Sequence, residues 1–168
     1  VLFSIGARNF LKYVERGNDV SKHPVALALS KYGEPAEVAD RIEQELRSEK
    51  LQVGKVILTP RWILCPFAFH VAIRKVEDLA WIYKKVTTHK KYGVTTGHTY
   101  ETMLRDRDGG EVTTQGKEAD VNRLLLEVQK RAPWVIAGYD DQIQAMWTKN
   151  RAGLIAAVDA KRKELSAT

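Results

Sequence analysis

The hydrophobic positions of this 168-residue chain follow two spacings, one typical of helices and one typical of strands. Before residue 51, apolar residues recur every three or four positions, and Pro24 and Pro35 stand where helices commonly begin. The pattern therefore predicts a short helix from Pro24 to Tyr32 and a longer helix from Pro35 to about Lys50. The apolar stripe of the second helix consists of Val38, Ala39, Ile42 and Leu46.

Short apolar and β-branched runs, separated by glycine and proline, fill residues 51–116 and predict six antiparallel strands. These strands are expected at Val53–Thr59, Arg61–Cys65, Phe67–Arg74, Val76–Thr88, Thr99–Arg105 and Glu111–Gln115. The segment Asp106–Gly110 is the clearest hairpin turn in the chain, because aspartate and glycine favour the backbone angles of tight turns.

Helical spacing returns after Gly116. One helix is predicted over Glu118–Arg131, and Asp140 is placed to cap a last helix that runs to about Leu165. The inward-facing residues of the first of these helices are Val121, Leu124, Leu125 and Val128. The fold class is therefore α+β, with a small antiparallel β-sheet or open barrel flanked by N-terminal and C-terminal helices.

The net charge of +6 comes entirely from residues 51–100, because the acidic and basic residues on either side of this segment balance. Within it, Glu77 and Asp78 are the only acidic residues. The densest stretch is 79–100, which contains no carboxylate. Its lysines are Lys84, Lys85, Lys90 and Lys91, and its larger aromatic residues include Trp81, Tyr83 and Tyr92. Such a one-signed stretch favours a negatively charged partner.

Several interpretations of this basic stretch remain open. The lysines face anionic lipid, an acidic protein, or single-stranded nucleic acid that stacks on the aromatic rings, or they are simply the solvated side of an amphipathic sheet. Trp81 and Tyr83 share strand parity with Leu79, which favours a place in the core over a stacking platform. The charge-balanced flanking helices make nucleic acid the least favoured partner.

The sequence shows no signature of an enzyme, a metal site or a cofactor. A single cysteine, Cys65, excludes an internal disulfide and a cysteine-rich zinc site, and its position in a strand predicts a small buried residue rather than a nucleophile served by His70. The four histidines are scattered, and no phosphate-binding glycine loop is present. The chain is therefore predicted not to be an enzyme and to need no cofactor.

The N-terminal segment has two interpretations. Val1–Ala7 is uncharged and is followed at once by basic residues, which fits the last turns of a membrane helix with the domain on the cytoplasmic side. The alternative is an amphipathic helix over Phe3–Val14. Residues 1–16 are assigned to this anchor or helix, and residues 17–23, rich in turn-forming residues, to a linker.

Short motifs along nearly the whole chain resemble a family of uncharacterised bacterial membrane-anchored proteins. These motifs are His23-Pro24, Lys31–Pro35, Leu58–Trp62, Glu77–Lys85, Arg131–Trp134, Gly138-Tyr139 and the helix containing Trp147. The middle part is similar to bacterial pleckstrin-homology-like (PH-like) domains. The resemblance implies a small antiparallel barrel closed by a C-terminal helix and a single membrane anchor, with no known active-site residues. A seventh strand would be needed, for which Trp134–Gly138 is the candidate.

Taken with this resemblance, the chain is predicted to be a non-enzymatic, membrane-associated PH-like interaction module. Its binding face is predicted to consist of Lys84, Lys85, Lys90 and Lys91. The predicted organisation places a helical pair at 24–50, the PH-like region with its closing helix at 51–133, and a C-terminal helix packed on the same domain at 134–168. A protein–protein assembly module without a lipid role is the alternative, followed by nucleic-acid binding or an enzyme with a cryptic pocket.

Overall fold

The computed structural model of the protein describes residues 24–67 and 70–167, so the anchor and linker predicted before Pro24 lie outside the described residues. The described residues divide into two compact units, the first ending at Ile73 and the second beginning at Arg74. Helices lie at both ends of the described chain and the strands lie between them, which confirms the α+β class.

The first unit begins with the two predicted helices, α1 (Pro24–Ser30) and α2 (Pro35–Ser48). A proline stands in the first turn of α2, where its missing N–H breaks no hydrogen bond. The core of this unit is a cluster of apolar residues from the helices and strands. Its buried members are Ala26, Leu29, Val38, Ile42, Trp62, Leu64 and Ile73.

The first sheet has the strand order β1-β2-β3-β4. Its strands are β1 (Leu51–Val53), β2 (Val56–Leu58), β3 (Trp62–Pro66) and β4 (Val71–Lys75). The prediction of a single strand over Val53–Thr59 was wrong. Gly54 adopts a φ of +56° and turns the chain, so that β1 and β2 form a hairpin. Cys65 lies in β3 and is buried, as predicted.

The second sheet has the order β7-β6-β5-β8. Its strands are β5 (Leu79–Lys91), β6 (Val94–Asp106), β7 (Glu111–Gly116) and β8 (Ile136–Ala137). The first three form an antiparallel meander, whereas β8 runs parallel to β5. The predicted hairpin turn at Asp106–Gly110 is confirmed, with both oxygen atoms of the buried Asp106 engaged, one by backbone N–H groups of the turn and one by Arg74.

Three features of the predicted sheet differ in the structure. The strands form two four-stranded sheets rather than one small sheet, and neither sheet closes into a barrel. A 3-10 turn at Val76–Asp78 separates β4 from β5, whereas a strand was predicted to begin at Val76. The strand predicted to begin at Thr99 begins instead at Val94, because Tyr92 and Gly93 form the turn of a longer hairpin.

Helix α3 (Glu118–Arg131) has the predicted bounds. The prediction of a single last helix was wrong, because the chain forms two helices there, α4 (Asp141–Lys149) and α5 (Arg151–Ser166). Asn150 separates them by ending α4 with its backbone N–H and capping α5 with its side chain, which accepts from the N–H of Gly153. Asp140 caps α4 as predicted, and β8 lies inside the segment proposed for an extra strand.

Candidate functional site

Strand β5 is buried in its first half and exposed in its second half. Residues Leu79–Tyr83 are buried, whereas every residue from Lys85 to Lys91 is exposed. The pairing explains the change: β7 ends where Gly116 pairs with Tyr100, and β8 pairs only with Trp81 and Ile82. Beyond this point β5 and β6 pair only with each other.

We call the outer part of this hairpin, residues 87–99, the distal ribbon. Its cross-strand pairs run from Thr87 and Thr99 at the base to Lys91 and Val94 next to the turn. Five residues of β5, at about 3.3 Å per residue, give the ribbon a length of about 17 Å. A shift in register after His89 marks a bulge, which increases the local twist.

Two of the four predicted binding lysines lie at the base of the ribbon and are paired with carboxylates. The Nζ atom of Lys84 is 3.0 Å from Oε1 of Glu118, the first residue of α3. The Nζ atom of Lys85 is 3.4 Å from Oε2 of Glu101, its cross-strand partner. Both carboxylates lie outside the stretch 79–100, so only the fold brings them to these lysines.

The electrostatics at the base keep this pairing in place at neutral pH. The hydrogen bond from Lys84 is the main cause that lowers the pKa of Glu118. Partial burial, and then the neighbouring Glu118, raise the pKa of Tyr100, so its phenol stays protonated and donates to that carboxylate. The positive charge of Lys84 is therefore balanced by the first residue of helix α3.

The other two predicted lysines, Lys90 and Lys91, lie at the tip of the ribbon. Both are exposed, and no ion pair to either is present in the described part of the chain. Lys90 pairs across the hairpin with Thr95, and the Nζ atom of Lys91 lies 5.9 Å from the centre of the Tyr92 ring. The ribbon contains no acidic residue, so its charge is +2 from these two lysines.

The two histidines of the ribbon are engaged in contacts between its strands. Nε2 of His89 lies 2.5 Å from the hydroxyl of Thr99, and Nδ1 of His98 lies 3.2 Å from the hydroxyl of Thr88. Threonine side chains and these cross-strand contacts stabilise an extended hairpin that none of the described helices covers. In residues 24–67 and 70–167, no cluster of three or more metal-binding side chains occurs.

Trp81 and Tyr83 belong to the core, as their parity predicts. Their exposed fractions are 0% and 5%. The guanidinium of Arg105 lies 4.7 Å from the centre of the Trp81 ring and donates to Gln144 and Glu111. With Trp81 and Tyr83 enclosed, neither can stack on a nucleobase.

Elsewhere, an open groove of about 490 Å³ runs along α5. It is lined by Arg107, Arg151, Ala152, Ile155, Ala156 and Asp159. Arg107 and Asp159 hold each other through two contacts of 2.6 and 2.7 Å. The carboxylate in this lining, Asp159, is therefore already paired with a neighbouring guanidinium.

The chain resembles a known protein family over most of its length. The model described as Domain of unknown function (DUF6709) matches residues 28–147, which include the ribbon and the whole of helices α2 and α3. No curated protein and no solved structure matches the chain. Among the described residues, no helix has the length and apolar character needed to cross a bilayer.

Proposed function

This chain belongs to the DUF6709 family, and we propose that it is a non-enzymatic interaction module that binds an anionic membrane surface through the distal ribbon. The observation that carries the proposal is the contrast along one hairpin. Lys84 and Lys85 at its base are paired with carboxylates, whereas Lys90 and Lys91 at its tip project from a segment without any acidic residue. The binding face predicted from the sequence is thus narrowed to its outer pair.

The size of this electrostatic contribution favours a peripheral contact. Each lysine near an anionic leaflet contributes about 1 kcal/mol, so the two tip lysines contribute about 2 kcal/mol together. Stable attachment to a membrane needs a second contribution. In the proposal, a membrane segment at or before residues 1–16 supplies the anchor, and the ribbon sets the orientation of the domain on the cytoplasmic side.

The PH-like character of the domain is part of the same proposal. It is supported by an antiparallel strand series that helix α3 follows directly and packs against. Because the strands form two separate sheets, the resemblance to a PH-like domain is limited to the local order of these strands and the helix that follows them.

The test is vesicle flotation with phosphatidylcholine alone or mixed with phosphatidylserine, at low and at physiological salt. Wild-type protein should float only with the anionic vesicles, and less at physiological salt, because salt screens exposed charges. The double variant Lys90→Glu and Lys91→Glu should bind at least tenfold more weakly with an unchanged melting temperature. The matched control is Lys50→Glu with Lys55→Glu, which makes the same charge change at exposed positions of the first unit.

Three outcomes would overturn the proposal. Equal binding by the tip variant and wild type would remove the tip lysines from the interface. A loss of binding in the control variant as large as in the tip variant would reduce the effect to net charge. If wild-type protein binds neither kind of vesicle, the assembly-module alternative takes its place, in which the unpaired edges of the ribbon accept a strand from a protein partner.

A further inference from the structure

The turn at the end of the ribbon contains a residue that its backbone disfavours. Tyr92 and Gly93 have φ values of +50° and +82°, the pattern of a type I′ hairpin turn. This turn favours asparagine, aspartate or glycine at both positions, because a side chain with a Cβ atom is crowded in the left-handed region. Among the described residues, Tyr92 is the only residue other than glycine with a positive φ.

No contact within the described part of the chain compensates for the strain at Tyr92. Tyr92 is 95% exposed, and the centre of its ring is 5.9 Å from the Nζ atom of Lys91, its one aromatic or cationic contact in the described structure. A Cβ atom added at Gly93 would meet no atom within 4 Å, so the tip is surrounded by open space. A strained, exposed aromatic residue points to a contact outside the molecule.

Tyr92 and its neighbours have the mixture of apolar, polar and basic groups that suits the interface between lipid headgroups and acyl chains. A tyrosine places an apolar ring and a polar hydroxyl at headgroup depth, where tyrosine and tryptophan are enriched in membrane proteins. Val94, which is 67% exposed, adds an apolar side chain next to the turn. Lys90 and Lys91 are consecutive residues of β5, so their side chains lie on opposite faces of the ribbon, and both can reach lipid phosphates while their methylene stems lie along the acyl boundary.

We propose that Tyr92 is a membrane anchor that inserts into the headgroup layer of an anionic bilayer while Lys90 and Lys91 pair with lipid phosphates. The inference rests on the proposed function and makes it more specific, since an acidic protein surface offers no penetrable layer for an exposed ring. It assigns the electrostatic and the apolar parts of binding to different residues of one turn. The two parts are therefore separable by substitution.

The decisive variant is Tyr92→Asn. Asparagine followed by glycine is the preferred pair for a type I′ turn, so this variant should melt at the same temperature as wild type or higher. Its binding to phosphatidylserine-containing vesicles should fall at least fivefold because the inserted ring is lost. A loss of binding without a loss of stability cannot come from misfolding.

A second variant measures insertion directly. Tyr92→Trp should retain binding and show extra tryptophan fluorescence that lipids brominated near the headgroup quench. Wild-type protein is the control, because its own tryptophans are present in both samples and Trp62 and Trp81 are buried. Only the difference between the two samples reports on the tip.

The outcomes separate this inference from the proposed function. If wild-type protein fails to bind anionic vesicles, both are overturned. If wild type binds and the Lys90 and Lys91 double variant does not, but Tyr92→Asn binds like wild type, the anchor is overturned and the electrostatic interface stands. If Tyr92→Asn binds weakly but Tyr92→Trp is not quenched, Tyr92 contacts the surface without insertion, which overturns the insertion step.

Discussion

Among single residues, Glu45 shows how one carboxylate organises a turn that the sequence pattern leaves unexplained. Its side chain is 8% exposed and accepts hydrogen bonds from the hydroxyl of Thr59 at 2.6 Å and the backbone N–H of Arg61 at 3.1 Å. The guanidinium of Arg61 pairs with its other oxygen. These contacts to Glu45 therefore hold the tight turn between β2 and β3 against helix α2.

These contacts to Glu45 predict a pH-dependent stability. Burial, the largest single influence, raises the pKa of Glu45, but the hydrogen bonds from Thr59 and Arg61 outweigh it and leave the pKa below its ordinary value of 4.5. A lowered pKa means that the stabilisation is fully present above about pH 4.5 and is lost as pH falls through the folded-state pKa. Glu45→Gln should reduce the free energy of unfolding by about 1–3 kcal/mol at pH 7.

Urea unfolding followed from pH 7 to pH 3 checks this expectation. The difference between wild type and Glu45→Gln should shrink as the pH falls. The matched control is Glu43→Gln on the same helix, whose ion pair with the exposed Arg47 contributes about 0.5 kcal/mol or less. A constant difference across the pH range would show that Glu45 acts through shape rather than charge.

For single residues, the sequence pattern predicted which side chains are buried but did not predict the charged partners of others. The burial of Trp81 and Tyr83 follows from strand parity, and the burial of Cys65 from its apolar neighbours. The partners of Lys84 and Glu45 were not predictable, because Glu118 and Arg61 lie 34 and 16 residues away in the chain. Such pairs depend on tertiary structure, which local patterns do not contain.

Among the elements, the β5–β6 hairpin combines two physically different halves. Its inner half packs in the sheet, whereas the residues from Thr88 to His98 are exposed except for Gly97, which is half-buried. Burial of apolar surface is the main source of stability, so the outer half contributes little to the fold. The hairpin thus carries a projection that the core supports without depending on it.

A shortened hairpin tests this division. Replacing residues 88–98 with Asn-Gly, joined to the cross-strand pair Thr87 and Thr99, should change the free energy of unfolding by no more than about 1 kcal/mol. Binding to anionic vesicles should be lost together with Lys90, Lys91 and Tyr92. Thermal unfolding and flotation measure the two effects on the same sample.

The full-length variant Tyr92→Asn is the matched control for the shortened hairpin, because it carries the same turn sequence on an intact ribbon. It separates the effect of the turn from the effect of length. A large drop in melting temperature for the shortened protein alone would place the ribbon inside the cooperative core.

The sequence pattern missed element boundaries at turns whose residues are not strong turn formers. Asn150 divides a continuous helical pattern, and Tyr92 occupies a turn position where asparagine is expected. Where the turn chemistry is strong, as at Asp106–Gly110, the prediction is confirmed. Gly54 is the intermediate case, since one glycine inside an apolar run signals either a bulge or a turn.

In the whole molecule, the proposed binding residues and the core around Ile42 lie in different compact units. The first unit has the core that contains Ile42, which is 3% exposed, and the ribbon belongs to the second unit. A small change in the first core should therefore affect unfolding and leave the interface intact. The total charge of +6 does not reveal this arrangement, because it is a sum over both units.

Ile42→Val is the substitution that tests this separation. Removing one buried methylene should lower the free energy of unfolding by about 0.5–1.5 kcal/mol, as measured by urea unfolding. Binding to anionic vesicles, measured below the unfolding transition, should equal that of wild type. The Lys90 and Lys91 double variant provides the opposite pattern, so a change of binding in Ile42→Val would show that the two units are coupled.

The length of the ribbon has a consequence for how far the rest of its unit stands from a surface that the tip touches. The ribbon extends about 17 Å from the sheet, which is about twice the Debye length of 8 Å at physiological ionic strength. Charges at the sheet, including the pair formed by Lys84 and Glu118, then lie about two Debye lengths from such a surface, so salt largely screens their interaction with it. In the proposed binding mode the hairpin would therefore act as a spacer, and the surface would respond to the charge of its tip rather than to the charges of the sheet that carries it.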